Sequence, residues 1–145
     1  MSEPQNIALV RRWFEEVWNQ RRLETIDELL APEAVAYDLG GSGATTRGAA
    51  SFRAAAQMLQ KAFGEMRFVI EDIFGSEDRV VARLTATMRH TGQLGDLPPT
   101  GKEVTVPVMC IVRIEKGRFL ESWNTWDVAT ALRAAHAPMD RTTMF

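Results

Sequence analysis

Residues 102–127, KEVTVPVMCIVRIEKGRFLESWNTWD, decide the reading of the fold. From Val104 onward Val106, Val108, Cys110, Val112 and Ile114 fall on one face, and Thr105, Pro107, Met109, Ile111 and Arg113 on the other. A period of two is the signature of a β-strand. The tetrapeptide EKGR then offers a tight turn, with a glycine where a positive φ is expected. Residues 119–126 are predicted to return as the second strand of a hairpin that ends in Trp123, Asn124, Trp126 and Asp127. Apolar, half-polar and ionisable side chains converge there, so a pocket is expected at that end. Pro107 has no N–H to give a ladder, which predicts an edge position or a bulge.

Upstream of this hairpin the same period recurs. Val80, Ala82, Leu84, Ala86, Met88 and His90 alternate with polar neighbours, and residues 66–73 alternate before them. Together with the hairpin they predict a four-strand antiparallel meander. The first half of the chain has a different rhythm. Ile7, Val10, Phe14, Val17 and Trp18 recur at spacings of three and four, which predicts an amphipathic helix over 4–20, capped by Ser2 with Pro4 in its first turn. Thr25 is the expected cap of a short second helix that stops before Pro32. An extended segment over 34–39 carries the only tyrosine, Tyr37, and the glycine-rich loop GGSGATTRG follows it. That loop lacks the spacing of a phosphate cradle and reads better as a flexible pocket rim. A helix over 49–63 and a final one over 128–135 complete the list, and the tail MDRTTMF is expected to be loosely held. The fold class is therefore α+β over one domain, residues 1–145: a curved antiparallel sheet wrapped around N-terminal helices as a cone, enclosing one pocket.

Composition narrows the function. Seventeen basic residues against nineteen acidic ones give no cationic surplus, which argues against a nucleic-acid partner. No apolar run approaches membrane-spanning length and no secretory leader is visible, so a soluble cytoplasmic protein without a membrane partner is expected. One cysteine and two histidines supply a metal cluster poorly.

The series RHTGQLGDLPPTGKEV, then VRIEKGRFLESW, then WD before a helix, resembles the SnoaL-like polyketide cyclases, or ester cyclases, of the nuclear transport factor two-like superfamily. The resemblance covers nearly the whole chain. It implies a cone-shaped fold that forms dimers or tetramers, a hydrophobic small-molecule substrate, no metal or redox cofactor, and ring closure by an intramolecular aldol condensation. Keeping Arg113 and Gly117 in register places the family's catalytic aspartate at Asn124 and its auxiliary histidine at Cys110. The related epoxide hydrolases' Asp-Arg-Asp pattern falls on Thr85, Arg83 and Asn124. Epoxide-processing or hydroxylase-like chemistry, and binding without turnover, are the competing functions.

Three residues are the candidate catalytic groups. Asn124 shares a strand face with Ser122 and Trp126 and is expected to meet a substrate carbonyl or an ordered water. His90 closes an apolar strand face and matches a family histidine; it is either a general acid or base or a structural ring bonded to the following loop. Asp127 is the nearby carboxylate, and also what the N-cap of the next helix looks like. Trp18, Tyr37, Met58, Met88, Met109 and Trp126 are candidate walls for a flat apolar ligand, although core packing is the default for most. Arg83 is a candidate anchor for a carbonyl or anion, with pairing to Glu71 or Asp72 as its alternative. Cys110 is a candidate wall residue most simply read as a small buried hydrophobe.

Overall fold

The chain begins with α1 (Glu3–Trp13) in the computed structural model, which describes residues 2–41 and 43–136. Ser2 Oγ accepts the Gln5 N–H at 3.4 Å while Gln5 Oε1 accepts the Ser2 N–H at 2.8 Å, so two helix-terminal donors are satisfied reciprocally. The expected single helix changes character at Phe14. Phe14–Asn19 form a turn of π-helix in which the Gln20 N–H reaches the Glu15 carbonyl at 2.9 Å. Such widened turns are uncommon and are often found at functional sites. Phe14, Val17 and Trp18 of this turn are buried. Asn19 pins its end to the sheet, giving its amide to the Phe68 carbonyl at 3.0 Å and accepting the Phe68 N–H at 2.7 Å.

The second helix, α2 (Glu24–Leu29), stops ahead of Pro32 as expected. Thr25 is not its cap. It lies inside the first turn, buried, with its hydroxyl donating to Glu16 Oε1 at 2.7 Å. Hydrogen bonds from Arg12, Thr25 and Arg22 hold the Glu16 carboxyl far below the usual range, at about 2.

Next come β1 (Leu30–Tyr37), β2 (Thr45–Arg47) and α3 (Ala49–Ala62). The predicted meander follows as β3 (Phe63–Ser76), β4 (Arg79–His90), β5 (Glu103–Glu115) and β6 (Arg118–Trp126), and α4 (Val128–His136) follows the last strand. The expectation for the tail beyond Pro138 concerns residues outside the described ones. The sheet is a six-stranded open one in the order β2-β1-β6-β5-β4-β3. It is not wholly antiparallel, because β1 lies parallel to β6. That pairing joins Val35 to Glu121, and no local pattern signals so distant a partner. The register slips between Leu30 and Val35, so β1 bulges away from β6 over that interval. Pro107 belongs to an interior strand, yet β6 ends with Trp126 opposite Val108, so the proline lies just past that ladder. It has a local edge, which is what a residue without an N–H tolerates.

One face of the sheet packs on the helices. Trp18 meets Trp126 edge-on with centroids 5.0 Å apart, Phe68 lies 5.2 Å from Trp126, and Trp13 lies 5.2 Å from Phe52. Aromatic pairs of this kind contribute about 0.5–1.5 kcal/mol each beyond their buried area. The other face carries an unbroken row of cross-strand partners, Phe74, Val81, Ile111, Trp123 and Tyr37. Phe74 is 55% exposed, Ile111 37% and Trp123 36%.

Candidate functional site

Between the helix-facing side of the sheet and the helices lies an enclosed apolar cavity. Trp13, Phe14 and Trp18 form its roof, Phe52 and Leu39 one side, and Cys110, Ser122, Asn124 and Trp126 its floor. Strand alternation explains the floor, since Ser122, Asn124 and Trp126 are two apart on β6 and Cys110 is the direct partner of Asn124 on β5. The volume open to the centre of a water molecule is about 30 Å³. Room of that size admits roughly two water molecules and no ring.

Four of the residues expected to form the site are brought together here: Trp18, Cys110, Asn124 and Trp126. The Asn124 amide nitrogen lies 3.0 Å from the Tyr37 carbonyl, 3.0 Å from Ser122 Oγ and 3.4 Å from the Ser122 carbonyl. Two of these partners are main-chain carbonyls that can only accept, so they fix the amide's orientation. Both amide hydrogens are engaged by the protein. Asn124 therefore offers a ligand its Oδ1, an acceptor, rather than the donor expected of it. Trp126 carries a buried donor. Its indole is 1% exposed, and Nε1–H has no hydrogen-bond partner among the described residues. Burial pushes the Cys110 thiol up to about 12, only partly offset by a main-chain hydrogen bond from Ala82, so it stays protonated at neutral pH.

The remaining candidates lie elsewhere. Asp127 Oδ1 accepts the Thr130 N–H at 3.0 Å and begins α4; the side chain is exposed and is not among the cavity's lining residues. Hydrogen bonds from the Thr130 hydroxyl and main chain lower its pKa. His90 is fully buried at the end of β4, its Nδ1 3.2 Å from Thr100 Oγ1 and its ring 5.4 Å from Phe63, and it lines no cavity beside Asn124. Met88 is likewise buried outside the lining. Arg83 and Met109 are direct partners on the opposite face of the sheet, where both are exposed. Tyr37 stacks on Trp123, centroids 5.8 Å apart, and its hydroxyl donates to Glu121 Oε2 at 3.2 Å. Met58 is 56% exposed and edges a second cavity near α4. Of the three epoxide-hydrolase positions, Thr85 bonds Glu71 at 2.9 Å and Arg83 is exposed, so only Asn124 reaches the inner cavity.

Two polar lining residues were not among the predicted site residues, Ser122 and Glu121. Glu121 is the carboxylate residue among those lining the cavity, but its carboxyl turns to the outer face of the sheet, where it accepts from Arg113 Nε at 2.9 Å and from the Tyr37 hydroxyl. The motif VRIEKGRFLESW contains it, and the hairpin places it opposite Arg113. That pairing was its available signal. Among the described residues no three His, Cys, Asp or Glu side chains are grouped to hold a metal ion.

Comparison with solved structures places the same architecture in several proteins. A candidate SnoaL-like polyketide cyclase from Jannaschia sp. CCS1 superposes with a TM-score of 0.83 at 24% identity, over 94% of this chain and 95% of that one. IdmH, a candidate polyketide cyclase from Streptomyces antibioticus, gives 0.78 at 27% identity over 92% and 99%. AclR, a candidate hydroxylase from Streptomyces galilaeus, gives 0.80 at 24% identity over 96% and 89%. At identities under 25% such likeness establishes the fold alone. No curated protein matches the sequence. The family described as SnoaL-like polyketide cyclase matches residues 8–135, and with most of the chain covered by that match and the fold in agreement, the protein belongs to the SnoaL-like polyketide cyclase family.

Proposed function

We propose that the protein binds a neutral hydrophobic carbonyl compound and closes a ring on it by an intramolecular aldol step, without a cofactor. The observation that carries this reading is the buried Trp126 N–H, without a hydrogen-bond partner among the described residues, on a residue that lines an apolar cavity in a cyclase-family fold. A buried donor without an acceptor costs about 1–3 kcal/mol, and a ligand oxygen removes that cost. In the proposed reaction the substrate reacts as its enol, which a carbon flanked by two carbonyls forms readily. The enol hydroxyl donates to Asn124 Oδ1, and the oxygen of a second carbonyl accepts the Trp126 N–H. The enol carbon then forms a bond to that second carbonyl carbon, and the enol proton passes to the resulting alkoxide, which leaves a new hydroxyl and restores the first carbonyl. His90 and Asp127 take structural roles in this scheme, as a loop-bonded ring and a helix cap.

The test is ring closure of an aromatic β-keto ester followed by absorbance and mass. The wild type is expected to outpace buffer, and Trp126→Phe to lose at least about tenfold. A wild-type rate equal to buffer overturns the enzymatic reading. It would favour the second one, ligand holding without turnover, which draws on the replacement of the family's carboxylate by the fully engaged Asn124 amide.

The same proposal includes a homodimer, supported by the exposed apolar row on the outer face of the sheet, and cytoplasmic action in secondary metabolism. Among the described residues no helix is long and apolar enough to cross a membrane.

A further inference from the structure

The inner cavity is too small for the substrate class proposed above. At about 30 Å³ it admits a carbonyl and its nearest neighbours, whereas an aromatic ring system needs far more. A second cavity has that room. It measures about 670 Å³ and lies between α3, the turn over 39–41, the loop carrying Leu94 and Leu97, and α4. Ala55, Met58, Leu59, Leu94, Leu97 and Leu132 make it predominantly apolar, with Asp96 and Arg133 as its charged residues.

Leu39 lines both cavities and is the partition between them. It is 6% exposed and held by the glycines that follow it. Gly40 and Gly41 have φ of 71° and 77°, a region that favours glycine. A Cβ at Gly41 would fall 2.3 Å from the Trp126 carbonyl, so the turn sits directly against the end of β6. This close approach brings the large cavity to the strand that bears Asn124 and Trp126.

We infer that the ligand is bound in two compartments: its hydrophobic ring body lies in the outer cavity, and only a small carbonyl-bearing end passes Leu39 to reach Trp126 and Asn124. The inference rests on the proposed carbonyl ligand but not on turnover. It makes the substrate an elongated molecule with a slim polar end, and it gives Met58 a role at the rim of the outer cavity. Specificity for the ring body then resides in α3 and α4, away from the polar floor.

Binding of Prodan, a neutral naphthalene carrying one ketone, tests this by its emission shift on leaving water. Ala55→Trp and Ala44→Trp each place an indole in the outer cavity, and Ala44 is an exposed position whose replacement spares the core. Each is expected to weaken Prodan binding by roughly tenfold or more, and Cys110→Met, which fills the inner cavity and shuts out the carbonyl end, to weaken Prodan about tenfold while changing affinity for dimethylaminonaphthalene, which lacks the ketone, by less than about threefold. Circular dichroism melts identify any variant that fails to fold, and the remaining variants decide the matter. Silence of both tryptophan variants, or a Cys110→Met that weakens the ketone-free naphthalene as much as Prodan, overturns the inference. So does a chain ending at His136 that binds Prodan roughly tenfold more tightly, since residues 137–145 would then be the cavity's occupant. Intact binding with no ring closure of the β-keto ester would remove the enzymatic reading and leave the two compartments standing.

Discussion

The side-chain nitrogen of Asn124 lies 3.0 Å from the main-chain oxygen of Tyr37 and donates to it, tying the last strand of the sheet to the first across their parallel join. Asn124→Asp removes that donor and sets a carboxylate against a carbonyl. Charge is disfavoured there, so the folded-state pKa of the new acid is expected above its unfolded value. Stability is then retained below the unfolded pKa and lost as pH rises through the folded one. Urea melts are expected to record a loss of about 1–3 kcal/mol at pH 8 and less at pH 4. The same variant restores the family's carboxylate, so its ring-closure rate should rise over the wild type. An unchanged rate would mean that the amide is not what limits turnover.

Trp126→Phe isolates the indole N–H. It deletes a buried donor that has no partner among the described residues while keeping most of the ring that packs on Trp18 and Phe68. Stability should stay within about 2 kcal/mol of the wild type, because lost packing and removed desolvation oppose each other. Affinity for a ketone ligand, measured by calorimetry, should fall about tenfold while affinity for the matching hydrocarbon holds. Equal losses for both ligands would assign Trp126 to shape alone.

Cys110 should behave as an inert thiol. It is 2% exposed and its pKa stands at about 12 against an ordinary value of 9.0, so the folded protein is expected to resist Ellman's reagent at neutral pH and react only on unfolding. The raised folded pKa gives the sign of the pH effect. Its stability contribution is complete below pH 9.0 and is lost as pH climbs toward about 12, which alkaline urea melts can follow. Rapid labelling of native protein would contradict the closed cavity.

On the acid side the sign reverses. Glu16 at about 2 and the lowered Asp127 both favour the folded state while ionised. Their contributions are present above the unfolded carboxyl range and disappear as pH falls through the folded values, for Glu16 between its ordinary 4.5 and about 2. Asp127 is exposed and Glu16 21% exposed, so salt should blunt the effect, more for Asp127 than for Glu16. Asp127→Ala should lower the melting temperature at pH 7 and change it less at pH 2. Its ligand affinity should match the wild type; a loss of affinity would return Asp127 to the binding site.

The outer row of Phe74, Ile111 and Trp123 predicts a dimer by light scattering, broken to monomers by Ile111→Lys, whose charge would be buried between two sheets. A wild-type monomer at micromolar concentration would leave the row without this partner.

Much of this architecture was legible because strand alternation is local. Val104, Val106, Val108 and Cys110 face inward as their spacing requires, and the meander appears where the period of two begins. The capping box at Ser2 and the cap at Asp127 were equally readable, since both rest on neighbours three residues away. What escaped depends on distance or on hydrogen-bond detail. The parallel join of β1 to β6 links residues far apart in the chain, and the π-turn at Phe14 has no sequence period of its own. For the site, alternation placed Asn124 and Trp126 on the same face, but only the Tyr37 and Ser122 contacts reveal which end of the amide is free. Arg83, Met109 and Tyr37 were drawn toward the pocket by residue type, whereas their outer-face strand positions put them on its far side.

The pairing of β1 with β6 also imposes an order in time. Val35 leaves the ribosome well before Glu121, yet the cavity wall that runs through Ala34, Ala36, Ser122 and Asn124 exists only when the two strands meet. The hairpins of β3–β6 can zip locally, while β1 waits for a partner delivered last, at the loop-closure cost of a distant contact. The binding site is therefore the final part of the molecule to mature, and a nascent chain carrying everything through β5 would own most of the sheet and none of the chemistry.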